Sequence, residues 1–354
     1  MNISRRTLPY LTHPLRGIGG LLKSTPEDFR VEEIPAYEPC GEGEFLFVKI
    51  EKRNLNTNDA LRKLSKYCGV NQKEASAAGL KDRNAITIQT ICLPASTQEK
   101  LETFEDPNIT ILSSALHRNK LKTGHLAGNR FEIVLRDIDK SLDSRAHELR
   151  DLILEKGFPN YYGQQRFGHE GSTLSQGIEL LQGKNPLTKV PFSERRYLQR
   201  LCLSSVQSEL FNRCLTRRLK AGKLYEVQRG DVMQVVKSGG VFVVEEDLAE
   251  EQERFDRGAT AITGPMFGPK MKTPIDQPFW EEETVLGESG LEMNDFRRFK
   301  KLTSGTRRPY LIRVPELEIV REEEGLKFSF ELPKGTYATS LMREFQRETS
   351  EPDE

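Results

Sequence analysis

A chain of 354 residues, 36% of them hydrophobic and 30% charged, can bury a sizeable core, and its length allows two domains or one domain with an insertion. Its 53 basic and 53 acidic residues give a formal net charge of zero, which excludes a globally basic nucleic-acid binder but leaves local patches open. Five cysteines without close pairing (Cys40, Cys68, Cys92, Cys202, Cys214), no signal-peptide core and no apolar run of membrane-spanning length point to a soluble cytoplasmic protein with reduced thiols.

In chain order, RVEEI (30–34) and EFLFVKIEKR (44–53) read as strands separated by the turn-rich EPCGEGE. Thr57 or Asn58 can cap a helix, DALRKLSKYCG, that Gly69 closes. The Ala-rich run after Glu74 reads as a second helix, ended by a left-handed Gly79. A turn carrying Lys81, Asp82 and Arg83 leads into the alternating strand AITIQTICL, stopped by Pro94. RFEIVLRDI (130–138) reads as a strand and SRAHELRDLILEKG (144–157) as a helix. Character changes near Phe158-Pro159-Asn160: helices prevail from Gly171, above all SERRYLQRLCLSSVQSELFNRCLTRRLKAG (193–222) with apolar residues three and four apart. VQRGDVMQVV and GGVFVVEED suggest a small β element, and ESGLEMNDFRRFKKL (288–302) a helix. RRPYLIRVPELEIVREEEGLKFSFELPKG is strand-like, and TYATSLMREFQRE is an amphipathic helix. The expected class is α+β: a mixed-sheet domain interrupted by a helix-rich α/β module, with its last strands and helix returning at the C-terminus.

Charge is segregated by sign. Residues 107–131 contain no acid but carry Arg118, Lys120, Lys122 and Arg130; residues 296–314 contain none but carry Arg297, Arg298, Lys300, Lys301, Arg307, Arg308 and Arg313. The balancing acids cluster in EEDLAEEQERFD (245–256), two EEE runs and the EPDE tail. Such runs are usually solvated faces, yet the two acid-free segments are candidates for phosphate contact.

The five scattered histidines form no HExxH, no CxxC pair exists, and Gly17-Ile18-Gly19-Gly20 lacks the strand and downstream pattern of a dinucleotide site. What remains is the Asp82 turn with two polar-aromatic stretches, AGNRF (127–131) and NYYGQQRFG (160–168). Neighbours on an extended chain point to opposite faces, so Lys81 and Arg83 cannot both pack on the Asp82 carboxylate, and one of them is free to meet a phosphate.

GLKDRNAIT (79–87), STPEDFRVEE (24–33), GNRF (128–131), NYYGQQRFG and FELPKGTYATSLMRE (330–344) together resemble the TruD family of tRNA pseudouridine synthases, in the same order and over nearly the whole chain. The resemblance implies a pseudouridine synthase catalytic domain at 1–156 and 309–354, with a family-specific module inserted at 157–308. It implies Asp82 as the single catalytic aspartate, and Phe29, Asn129, Phe131 and Phe330 as residues lining the site or contacting the target nucleotide. Lys23 and Lys81 match basic residues beside the cleft. The implied substrate is tRNA, modified at uridine 13 in the D-arm region by a monomer without cofactor or metal.

Pseudouridine formation breaks N1–C1′, turns the uracil and rejoins it through C5. An ionised carboxylate can begin this as a nucleophile, and Asp82 is expected to be charged yet poorly hydrated beside a cation, Lys81, Lys23 or an arginine. The base must be flipped out of its stack; Phe29, Phe131 and Phe330 offer π-faces, with core packing as the competing role, and Asn129 offers a donor and an acceptor. The alternatives are a non-catalytic RNA-binding or RNA-chaperone protein, and a glycosidase-type hydrolase pairing Asp82 with Glu32 or Glu33.

Overall fold

The computed structural model describes residues 8–13 and 15–347. Strands β1 (Leu21–Leu22), β2 (Phe29–Pro35) and β3 (Phe45–Arg53) precede helix α1 (Thr57–Cys68). Then follow β4 (Ser76–Ala77), β5 (Ile86–Pro94), α2 (Gln98–Leu101), β6 (Ile109–His117), β7 (Leu126–Arg136) and α3 (Asp143–Lys156). The middle of the chain supplies β8 (Phe158–Pro159), α4 (Ser172–Leu181), α5 (Phe192–Lys220), β9 (Val232–Val235), β10 (Val241–Val243) and α6 (Leu248–Asp256). It continues with β11 (Thr260–Met266), α7 (Asp276–Glu288), α8 (Met293–Arg297), β12 (Thr306–Pro309) and β13 (Leu311–Ile312). β14 (Leu317–Arg321), β15 (Gly325–Pro333) and α9 (Ala338–Gln346) complete the described chain.

These elements form two compact units. The first holds Leu15–Glu155, Val314–Ala338 and residues 345–347; the second holds residues 8–13, Lys156–Arg313 and Thr339–Glu344.

In the first unit a nine-stranded sheet runs β14-β15-β7-β2-β5-β3-β6, with β1 on β7 and β4 on β5. All its pairings are antiparallel except β2 with β5. Leu46, Val48 and Ile50 of β3 alternate onto one face, where Ala60, Leu61 and Leu64 of α1 cover them. Asn56, rather than Thr57 or Asn58, caps α1 by accepting from the Asp59 N–H at 2.8 Å. Gly69 ends the helix at φ 69°. The expected Ala-rich helix before Gly79 does not form: residues 71–74 make a turn, Ser76–Ala77 pair with β5, and Gly79 is not left-handed. Edge pairing there overrides the helix propensity of the alanines.

The second unit gathers its core around α5, whose Leu203, Val206, Leu210, Phe211 and Leu215 are buried. Strands β10-β9-β11-β12 form a four-stranded sheet and β8 pairs with β13. Two bidentate ion pairs lie inside it, Arg218 with Asp231 at 2.6 Å and Arg307 with Glu282 at 2.7 Å. The acid-rich stretch at 245–256 is largely α6, with Phe255 in the core. The helix expected at 288–302 shrinks to the five residues of α8, and α7 precedes it.

Candidate active site

Asp82 and the candidate residues Lys23, Phe29, Lys81, Asn129, Phe131 and Phe330 all lie in the first unit, whereas the basic segment 296–313 lies in the second. Pairing register sets most of them on one face of the sheet: Val31 faces Phe131, Glu33 faces Asn129, Phe330 faces Phe131 and Leu332 faces Asn129. Gly128 allows this close approach, because a Cβ there would sit 2.5 Å from the Leu332 carbonyl oxygen. Across β5 and β3 the same face continues through Val31 opposite Thr87 and Thr87 opposite Lys52.

The segment 79–85 crosses this face, and polar contacts fix it. The Lys81 N–H donates to Thr57 Oγ1 at 2.8 Å. Thr57 Oγ1 in turn donates to Gln89 Oε1 at 3.0 Å. Lys52, fully buried, donates from Nζ to the Asp82 carbonyl at 3.1 Å and to the Leu55 carbonyl at 2.5 Å. Burial pulls this ammonium down from the usual lysine value to about 8, with the Asp82 carboxylate opposing and Lys81 assisting.

Asp82 is thereby held by its backbone while its carboxylate points outward. Lys23 Nζ donates to Oδ2 at 2.6 Å, and among the described residues Oδ1 has no hydrogen-bond partner. Lys23 also lies 4.0 Å from the centroid of the Phe29 ring, a cation–π arrangement that fixes the ammonium between ring and carboxylate. It reaches there from a left-handed backbone, φ 61°. The cation beside Asp82 is thus Lys23 and not Lys81. The expected shielding is not found: the Asp82 side chain, paired with Lys23, is 60% exposed, and its neighbours Leu80 and Arg83 are exposed as well.

Lys81 turns inward. Its Nζ donates to Asn129 Oδ1 and lies 3.3 Å from Glu33 Oε2, and both charged side chains are nearly fully buried. A phosphate role for Lys81 is therefore closed by burial, which leaves for it the exposed Arg83, a cation of the turn with no ion-pair partner among the described residues. Burial pushes the Glu33 carboxyl up and the Lys81 ammonium down, and their mutual attraction opposes both shifts.

Phe29, Phe131 and Phe330 are all buried in one contiguous stack. The Phe131 ring meets Phe29 edge-on at 6.1 Å and lies nearly parallel to Phe330 at 5.4 Å. Phe131 lies between the other two, and all three rings are packed in the core to a similar degree.

Glu32 lies on the opposite face and pairs with Lys49 at 2.8 Å and Arg130 at 3.6 Å. Glu32 opens onto the other side of the sheet and Glu33 is buried, so neither is placed as an open second acid on the Asp82 face. The basic segments are partly committed elsewhere: Arg118 pairs with Glu42, Arg130 with Glu331, and Arg307 is buried against Glu282. Lys122 in the first unit, and Arg297, Lys300 and Lys301 in the second, remain exposed. The sequence analysis does not name Lys52, Thr57 or Gln89 as site residues, Thr57 entering it only as a helix cap; a lysine and a glutamine on otherwise apolar strands are the available signal.

The family model described as tRNA pseudouridine synthase D (TruD) matches residues 7–186 and 193–345. The chain is 38% identical to tRNA pseudouridine synthase D of Anaeromyxobacter dehalogenans (strain 2CP-C), over 98% of this chain and 99% of that one. It is 39% identical to tRNA pseudouridine synthase D of Thermus thermophilus, over 96% and 92% respectively. Its fold is similar to the crystal structure of the putative tRNA pseudouridine synthase D from Methanosarcina mazei, with a TM-score of 0.74, 26% identity and 94% of each chain covered.

Proposed function

The chain belongs to the TruD family of tRNA pseudouridine synthases, and from that membership we infer that it isomerises uridine to pseudouridine in tRNA, at uridine 13 of the D-arm region, with Asp82 as nucleophile. The observation that carries the assignment of Asp82 is its ion pair with Lys23 beside Phe29, which holds one carboxylate oxygen and leaves Oδ1 open. Attack at C1′, attack at C6 and proton removal at C2′ all begin from that ionised oxygen. The N1–C1′ bond breaks, the uracil turns, C5–C1′ forms, and the C5 proton is replaced by one on N1. No oxidation state changes and no water is consumed, so the chemistry calls for no cofactor or metal.

A flipped uracil lying on the Lys23–Asp82 pair would supply the shielding the carboxylate lacks, strengthening its electrostatics. Phe29 and Phe330 border the base in this reading, Phe131 holds them in place, and Asn129 meets the base edge. Lys122 and the exposed cations of residues 296–314 contact phosphates, which position tRNA without reading sequence. In this reading the catalytic domain is 1–156 with 309–354 and the inserted domain 157–308. The two compact units break the chain near 156 and 313 as this division does, but residues 8–13 and Thr339–Glu344 group with the inserted module instead. The setting is a cytoplasmic monomer; among the described residues no helix is long and apolar enough to cross a membrane.

Primer extension on carbodiimide-treated tRNA tests this. A pseudouridine stop with the wild-type protein, absent with Asp82→Asn, is expected. Bound but unchanged tRNA would favour a pure RNA binder, and released uracil a hydrolase.

A further inference from the structure

Glu33, Lys81 and Asn129 form a chain of contacts for which the isomerisation itself has no use. A lysine nitrogen bonded this way acts as donor, so its contact with Asn129 engages the amide oxygen Oδ1. Glu33 Oε2, 3.3 Å away, balances the lysine charge, while Oε1 accepts from the Thr90 N–H at 3.4 Å. Lys81 is 7% exposed and Glu33 3%, so neither side chain can turn to solvent, whereas Asn129 is only half-buried. A protonated lysine and a neutral amine both donate, so the shifts that burial imposes on this pair leave the amide oxygen engaged.

We propose that the Glu33–Lys81 pair locks the Asn129 amide with its NH2 group toward the target base, so that the site donates to a pyrimidine carbonyl instead of accepting from a ring N–H or amino group. This rests on the reading of the face as a uridine site. Uracil has carbonyl oxygens at C2 and C4; cytosine replaces the second by an amino donor. A locked donor at C4 therefore accepts uridine and leaves cytidine with two donors opposed. Glu33 and Lys81 are positioning residues here, and Asn129 is the specificity-determining contact.

The test uses tRNA in which the target uridine is replaced by 4-thiouridine or 2-thiouridine, with single-turnover kcat/KM as readout. A thiocarbonyl is a poor acceptor, so 4-thiouridine should react roughly tenfold or more slowly with the wild type. A penalty confined to 2-thiouridine would overturn the proposal, because cytosine keeps the C2 carbonyl. The 4-thiouridine penalty should vanish in Asn129→Ala and survive in Lys81→Arg, which keeps a donor beside Glu33. It should shrink severalfold or more in Glu33→Leu/Lys81→Met, which removes both buried charges together. No thiocarbonyl penalty in the wild type, or an undiminished one in a folded double variant, would overturn the proposal. The wild-type and Asn129→Ala comparison decides the matter even where the double variant fails to fold. Absence of pseudouridine from unmodified tRNA would instead defeat the functional reading, a separate outcome.

Discussion

Lys52 Nζ donates to the backbone carbonyl of Asp82 at 3.1 Å, so a fully buried ammonium on β3 fixes the main chain of the residue whose side chain faces solvent. Lys52→Met should leave tRNA binding within about threefold while lowering kcat by roughly tenfold or more, because misplacing a reacting group costs rate before affinity. Single-turnover rates beside filter-binding measurements check it; equal losses in both would contradict the positioning role.

The same lysine gives a pH signature. Its folded value, about 8, lies below the ordinary 10.5, so between these the unfolded chain holds a proton that the fold lacks. Its contribution to stability therefore rises with pH across that window. Urea titrations from pH 7.5 to 10.5 should show wild type gaining on Lys52→Met, and parallel curves would show that burial does not perturb it.

Lys23→Met should reduce kcat/KM by roughly 10²-fold, comparable to removing one preorganised electrostatic group. Lys23→Arg should recover only part of this, since a planar guanidinium does not replace a point charge seated on the Phe29 ring. Activity assays at several salt concentrations check it, and a Lys23→Met enzyme of wild-type rate would refute it.

Asn129→Ala should lower the single-turnover rate more than it weakens tRNA binding. Binding draws mainly on phosphate contacts, which this half-buried residue does not provide. Equal losses would remove Asn129 from the base contact.

Phe131→Ala should destabilise the fold by about 3–5 kcal/mol, as expected when a buried ring between two others is emptied. In the second unit, Arg307→Met should cost about 3–5 kcal/mol by stranding the buried Glu282, and Arg307→Met/Glu282→Leu should recover much of it. Denaturant unfolding measures both.

Much of this was legible in the sequence. Alternating Leu46, Val48 and Ile50 announced β3, Gly69 closed α1, and the three- and four-residue spacing of 193–222 announced α5. The return of β14 and β15 to the first sheet followed from the change of character at 158 and the strand-like stretch after 307. β5 shows where pattern reading stops. Its alternation suggested a half-buried strand with isoleucines inward, yet Thr87 and Gln89 are buried while Ile88 is partly open. The polar pair lies on the face crossed by residues 79–85, where Gln89 joins the contacts that hold the turn. Lys81 misled for a related reason: adjacency to Asp82 suggested a shared cleft, whereas its long side chain finds Glu33 and Asn129, 48 positions away in sequence on either side. Such partners come from register between strands, and local spacing does not encode it.

The left-handed backbone of Lys23, φ 61°, suits glycine far better than lysine and costs about 1–2 kcal/mol. A glycine there would relieve that strain but forfeit the contacts with Asp82 and Phe29, and under the proposed role of Lys23 the same exchange would slow the reaction. Backbone comfort and reactivity then pull in opposite directions at that single site.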